Sequence, residues 1–204
     1  MSVALPLVYL ARHGATAWSD AGRHTGRTDL PLTAAGEAAA RQLAARLAGV
    51  AFGEVLTSPL QRARRTCELA GYGARAVVDP DLAEWDYGDY EGLTTAEIHA
   101  RRPGWVLFRD GCPGGEAPAA VAARADRVVA RVRAATGNAL LFSSAHLLRT
   151  LAARWLGLPA GGGCHFLLAT ASVSVLGYEH TATEPVIRAW NDGEHPLATP
   201  AGTA

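Results

Sequence analysis

The residues of this chain that could do chemistry fall in four short segments. The first is Arg12-His13-Gly14, directly after the apolar run Leu5 to Leu10. A neighbouring guanidinium disfavours the imidazolium, so the ring of His13 is expected to stay neutral and nucleophilic. The same arginine would hold an anionic substrate against it. Together they suggest attack on phosphorus. Gly14 would let the chain turn sharply and expose the imidazole. The second segment, Ser58-Pro59-Leu60-Gln61-Arg62, lies at a strand-to-helix junction, where free N–H groups attract anions. The third, Leu82 to Gly92, places Glu84, Asp86, Asp89 and Glu91 among Trp85, Tyr87 and Tyr90. A glutamate in such surroundings can have its pKa raised into the range of a general acid. The fourth, Phe142-Ser143-Ser144-Ala145-His146-Leu147-Leu148-Arg149, again follows an apolar run.

Positioning these groups falls to alternating strands and helices. Val8 to Ala11, Gly53 to Thr57, Ala76 to Val78, Ala139 to Phe142, Val173 to Tyr178 and Val186 to Trp190 read as strands. Thr33 caps a helix that runs to about Ala48, with Leu43 and Leu47 on one face. A second helix opens at Ser58-Pro59, with the proline in its first position, and ends before Gly71. Ala117 to Ala135 and Leu147 to Leu156 are further helices, the latter stopped by Gly157. Ser19 to Pro31 reads as a loop. Pro80 to Gly115 reads as an insertion covering one end of the sheet, with a short helix from Thr95 to Arg101. The pattern predicts an α/β fold, a three-layer α/β/α sandwich on a mostly parallel sheet. Residues 1–195 are expected to form one domain and 196–204 a disordered tail. Ligands in such folds sit beyond the carboxyl ends of the strands, where His13, Ser58 and Ser144 all fall.

Composition limits the alternatives. The 204 residues carry 19 positive and 19 negative side chains, so bulk charge points to neither nucleic acid nor a membrane surface. Every positive side chain is arginine, and any anion site must be assembled locally. Cys67, Cys112 and Cys164 are odd in number and widely spaced, which argues against a disulfide framework or zinc site and for a reducing cytoplasm. No secretory signal or membrane-spanning run is read in the sequence. His99, His165, His180 and His195 carry no motif and read as surface residues, whereas Trp85, Tyr87 and Trp105 read as packing, with one of them able to line a pocket. His24, beside Thr25-Gly26, is a candidate for the substrate entrance.

In their order and spacing the four segments resemble the histidine phosphatase superfamily, in its phosphoglycerate-mutase-like branch, from about Val8 to Trp190. The likeness extends to Thr25-Gly26, Asp29 to Gly36, and Arg109 to Glu116. The pattern is similar to short actinobacterial acid phosphatases. Trp85 to Gly92 and Asp110 to Glu116 also resemble fungal sugar-bisphosphate phosphatases. The resemblance implies a phosphoglycerate-mutase-like fold and a phosphohistidine formed on His13. It implies that Arg12 and Arg62 clamp the phosphoryl oxygens. Glu84 matches the acid/base position, protonating the leaving oxygen and then activating water. Ser19, Thr25 and Gly26 fall where the family contacts phosphate or substrate. It implies no cofactor and no metal, a small phosphorylated substrate, and a homodimer as the common assembly.

One position departs from the family. Its second pocket histidine, five residues before an arginine and followed by glycine, would stand where this chain has Ser144-Ala145. His146 falls two positions later. Ser144 or a shifted His146 is therefore expected to supply the missing hydrogen bond, with turnover reduced or redirected. Losing one such donor costs about 10²–10³ in rate. The other readings are a phosphate-ligand binding or regulatory protein without turnover, and a mutase.

Overall fold

A computed structural model describes residues 5–194. The tail at 196–204, and His195, lie outside the described residues. The strands are β1 Val8–Arg12, β2 Phe52–Thr57, β3 Val77–Val78, β4 Asn138–Ser143, β5 Val173–Tyr178 and β6 Pro185–Asp192. They form a six-stranded sheet in the order β3-β2-β4-β1-β5-β6. The pairs β3/β2, β2/β4 and β4/β1 are parallel, whereas β1/β5 and β5/β6 are antiparallel. Successive side chains of a strand point to opposite faces. Leu10 and Leu141 accordingly enter one apolar cluster with Val128 and Leu151, while Tyr9 and Leu140 enter another with Leu43 and Cys67. A strand that packs on both faces reads as a continuous apolar run, which is how β1 and β4 read.

The helices are α1 Ala17–Asp20, α2 Ala34–Arg46, α3 Gln61–Leu69, α4 Thr95–Arg101, α5 Leu107–Asp110, α6 Pro118–Ala134 and α7 Ala145–Trp155. On one face α2 and α3 supply Leu43 and Cys67, and on the other α6 and α7 supply Val128 and Leu151. Thr33 caps α2 as expected, its hydroxyl accepting from the Gly36 N–H at 3.0 Å. Two local expectations change. Residues 19 and 20 belong to α1, because Thr16 and Ser19 form a capping box that the loop reading overlooked. Pro59 precedes α3 instead of opening it. Leu60 is the cap residue, and the Gln61 N–H is already taken by Asp29 Oδ1 at 2.8 Å. The anion at this helix start is thus the chain's own carboxylate.

The site is positioned by the parallel end of the sheet. The central strand β4 lies between β1 and β2, so His13, Ser58 and Ser144 follow adjacent strands. The ladder continues past those ends: His13 N–H donates to the Ser143 carbonyl and Ser58 N–H to that of Phe142, each at 2.9 Å. The segment between β3 and α6 lies over this end. It is tied down by Arg124 of α6, whose guanidinium donates to the Asp81 and Ala83 carbonyls at 2.8 and 2.9 Å. Arg124 also pairs with Glu116 at 2.8 Å, and Glu116 accepts the Asp86 N–H. Ser143 Oγ adds a bond to the Leu82 carbonyl at 2.6 Å.

Candidate active site

His13 follows β1 directly, buried at 4 % exposure. Its Nδ1 lies 2.7 Å from the Gly14 carbonyl, which can only accept. Nδ1 therefore carries the proton, and Nε2 presents a lone pair. Burial is the main cause that pushes the imidazole well below its usual pKa, and Arg12 and Arg62 add to it. The neighbouring arginine was anticipated; the larger effect of burial was not. Gly14 has a different reason from the one expected. A Cβ there would stand 2.3 Å from the Gly36 carbonyl oxygen, so two backbones meet where no side chain fits.

Arg12 and Arg62 are held differently. Arg12 Nη1 donates to the Leu168 carbonyl, and its Nε, like that of Arg62, is buried without a partner. Arg62 is fully buried. Its Nη2 donates to the Thr25 and Gly26 carbonyls at 2.9 Å, and its Nη1 to that of Thr28 at 3.1 Å. Burial lowers both guanidinium pKa values, opposed chiefly by the charge of Glu84.

The 25–28 loop is also gripped from its N–H side. Glu91 accepts from Gly26 N–H at 2.8 Å and Thr28 N–H at 3.0 Å. Gly26 is required here, since a Cβ would lie 2.5 Å from the Trp85 carbonyl oxygen. Sequence reasoning counted Glu91 only as a rival for Glu84. Nothing local in the sequence shows that it braces a loop 65 residues away.

Glu84 is 7 % exposed. Its Oε1 accepts from Trp85 N–H at 2.8 Å and Leu147 N–H at 2.9 Å, and its Oε2 from His146 N–H at 3.0 Å. The carboxyl group thus caps the N-terminus of α7. Ser144 is the residue before that helix, yet its Oγ is buried and has no partner. The N–H that a capping serine would bind, that of Leu147, is already bound to Glu84.

Arg12, His13, Ser19, His24, Thr25, Glu84, Tyr87 and His146 line one cavity of about 480 Å³. Ser144, Arg62 and Gly26 are not among its lining residues. Of the two candidates for the missing histidine, the cavity is lined by His146. Ser19 reaches it with a hydroxyl already engaged with Thr16 N–H and carbonyl, at 2.8 and 2.9 Å. Several lining residues were not expected. His99 was read as a surface residue but lines the cavity, its Nε2 2.8 Å from the Trp105 carbonyl. Of the three aromatics read as packing, one of which could line a pocket, two line this one: Tyr87 and Trp105. Arg149 served only as a register mark in the sequence, but it too lines the cavity, its guanidinium 4.7 Å over the Phe108 ring. Among the described residues no group of three or more His, Cys, Asp or Glu is placed to hold a metal ion. No described helix is long and apolar enough to cross a membrane.

Comparison with known proteins gives the family and the fold. The family model for the histidine phosphatase superfamily (branch 1) matches residues 8–193. The chain is 39 % identical over 198 residues to an acid phosphatase of Mycobacterium tuberculosis, covering 93 % of this chain and 95 % of that protein. It is 35 % identical over 194 residues to sedoheptulose 1,7-bisphosphatase of Saccharomyces cerevisiae, covering 78 % and 70 % respectively. A solved structure of an open reading frame from Mycobacterium tuberculosis superposes with a TM-score of 0.85 at 38 % identity, over 93 % of this chain and 99 % of that one.

Proposed function

This chain belongs to the histidine phosphatase superfamily, and from that premise we propose that it is a phosphatase that hydrolyses a small phosphorylated metabolite through a phosphohistidine on His13. The observation that carries the proposal is the tautomer of His13. With Nδ1–H bound to Gly14, the Nε2 lone pair is free, and no described residue occupies it. Attack by Nε2 forms an N–P bond and breaks the ester P–O bond. The Arg12 charge at the cavity, with that of Arg62 behind it, offsets the charge that develops on the phosphoryl oxygens.

Glu84 completes the proton balance. Oε1 accepts two N–H groups, whereas Oε2 accepts one and has a lone-pair direction left. The proton for the leaving oxygen is carried on Oε2. In the second half-reaction Glu84 takes a proton from water, water oxygen bonds to phosphorus, and the N–P bond breaks, restoring neutral His13. The names of the similar proteins, an acid phosphatase and a sugar bisphosphatase, support a phosphomonoester as substrate.

Phosphate release from an aryl phosphate and a set of sugar phosphates, with chelator present, tests the reading. Release well above that of a His13→Ala variant is expected. Equal release by the two would overturn it. The reading as a binding protein without turnover rests on the unpartnered Ser144. A large rise in rate from Ser144→His with Ala145→Gly would favour it.

A further inference from the structure

We propose that Tyr87 is a positioning residue that fixes His146 in the tautomer whose Nε2 carries the proton, so that His146 is a neutral hydrogen-bond donor into the cavity. The inference rests on the phosphatase reading for the use made of that donor, but its geometry stands independently.

Tyr87 Oη and His146 Nδ1 are 2.5 Å apart, and both residues line the cavity. Tyr87 is 2 % exposed, and no other described residue bonds its hydroxyl. If Nδ1 were the donor, the buried O–H would lack an acceptor among the described residues. With the hydroxyl donating, Nδ1 accepts and the ring proton is placed on Nε2. No described residue bonds Nε2. Burial favours the neutral form of each partner, holding the phenol well above and the imidazole well below its usual pKa. Neighbouring rings define the plane of the imidazole: Phe108 at 5.5 Å and His24 at 6.0 Å between centroids.

The two histidines are thereby made opposites. A backbone carbonyl holds the His13 proton on Nδ1 and frees Nε2 as a nucleophile. A tyrosine hydroxyl holds the His146 proton on Nε2 and makes that atom a donor. Neutral donors of this kind stabilise charge as it forms on oxygen. The donor comes from the second helical residue of α7, because Ser144, at the cap, is shut away from the cavity.

Nitrogen-15 spectra of the ring of His146 in the full chain test this directly, since they report which nitrogen carries the proton. Wild type is expected to show a protonated Nε2, with a resonance that shifts when inorganic phosphate is added. Tyr87→Phe is expected to move the proton toward Nδ1 and lower kcat about tenfold, the worth of one well-placed hydrogen bond, with KM little changed. His146→Gln, which keeps an N–H donor, should retain more kcat than His146→Leu. A proton on Nδ1 in wild type, an unmoved tautomer in Tyr87→Phe, or an unchanged kcat overturns the inference. Should the wild type release no phosphate, the phosphatase reading fails instead, and the tautomer and the phosphate titration still decide this one.

Discussion

The two halves of the cavity are built on different terms. On the His13 side, His13 is held by the Gly14 carbonyl and Arg62 by three carbonyls of the 25–28 loop, whose Gly26 and Thr28 N–H groups donate in turn to the Glu91 carboxylate. On the α7 side, Glu84 is bound by helix N–H groups, His146 is bound by a tyrosine side chain, and Ser144 has no partner at all. Backbone partners come with the sheet and the loops that the fold must form. Side-chain partners depend on a segment that crosses from the far side of the sheet. The two rings therefore differ in what holds them: His13 is bound by the carbonyl of its own neighbour, His146 by a hydroxyl 59 residues away.

The sharpest way to break this comparison is at His13. His13→Ala is expected to lower kcat/KM by about 10⁴-fold or more, the scale of removing a nucleophile. Steady-state kinetics on an aryl phosphate check it, and a loss below tenfold would mean that the nucleophile lies elsewhere.

Glu84→Gln should lower kcat by about 10²–10³ by removing the proton carrier, and least for substrates with good leaving groups. An equal loss for aryl and alkyl phosphates would contradict protonation of the leaving oxygen.

Arg62→Ala tests the claim that the first half is structural as well as chemical. It leaves the Thr25, Gly26 and Thr28 carbonyls without their donor and takes away the positive charge beside buried Glu84, with an expected loss of roughly 3–5 kcal/mol in urea unfolding. A loss below about 1 kcal/mol would show that the loop stands without the arginine.

Acid should separate activity from stability. Burial, helped by Arg12 and Arg62, keeps His13 neutral well below the ordinary histidine range, so kcat/KM should show no loss from its titration between about pH 7 and 5. Burial also pushes His24 down to about 4 and holds His146 low. Unfolded histidines take up protons below about pH 6.5 while these folded ones do not. Their contribution to stability is complete above that pH and is lost as pH falls, for His24 down to about 4. The urea midpoint should therefore drop from about pH 7 to 5, and a midpoint that rises would contradict the burial of these rings.

The smallest effect is expected at Ser144. Ser144→Ala removes a hydroxyl that bonds to nothing and does not line the cavity, so stability should change by less than about 0.5 kcal/mol and kcat by less than twofold. A tenfold loss would show that Ser144 reaches substrate after all.

How much of this was legible in the sequence follows the same division. β1 and β4 were read nearly to the residue, because strands that pack on both faces are continuous apolar runs. The cap at Thr33 and the helix at Thr95–Arg101 carried their own local signals. His13, Arg12 and Glu84, which line one cavity, stand out in the sequence because motif and spacing mark them. Glu91 under the 25–28 loop, Arg124 against Glu116, and Tyr87 against His146 were not found, because each is a contact across 8 to 65 residues that only the folded chain creates. Ser144 was read from register as the replacement for the family histidine. In the structure its hydroxyl is buried without a partner, because the Glu84 carboxylate takes over its capping role.

The claim on which all of this depends is that phosphorus passes through His13. Rapid quenching of the full chain with an isotopically labelled phosphomonoester, under alkaline conditions that preserve an N–P bond, measures it most directly. A phosphoryl group on a peptide containing His13, formed and discharged at the rate of turnover and absent from His13→Ala, is the predicted result. Phosphate release at full rate with no label on the protein at any quench time would contradict it.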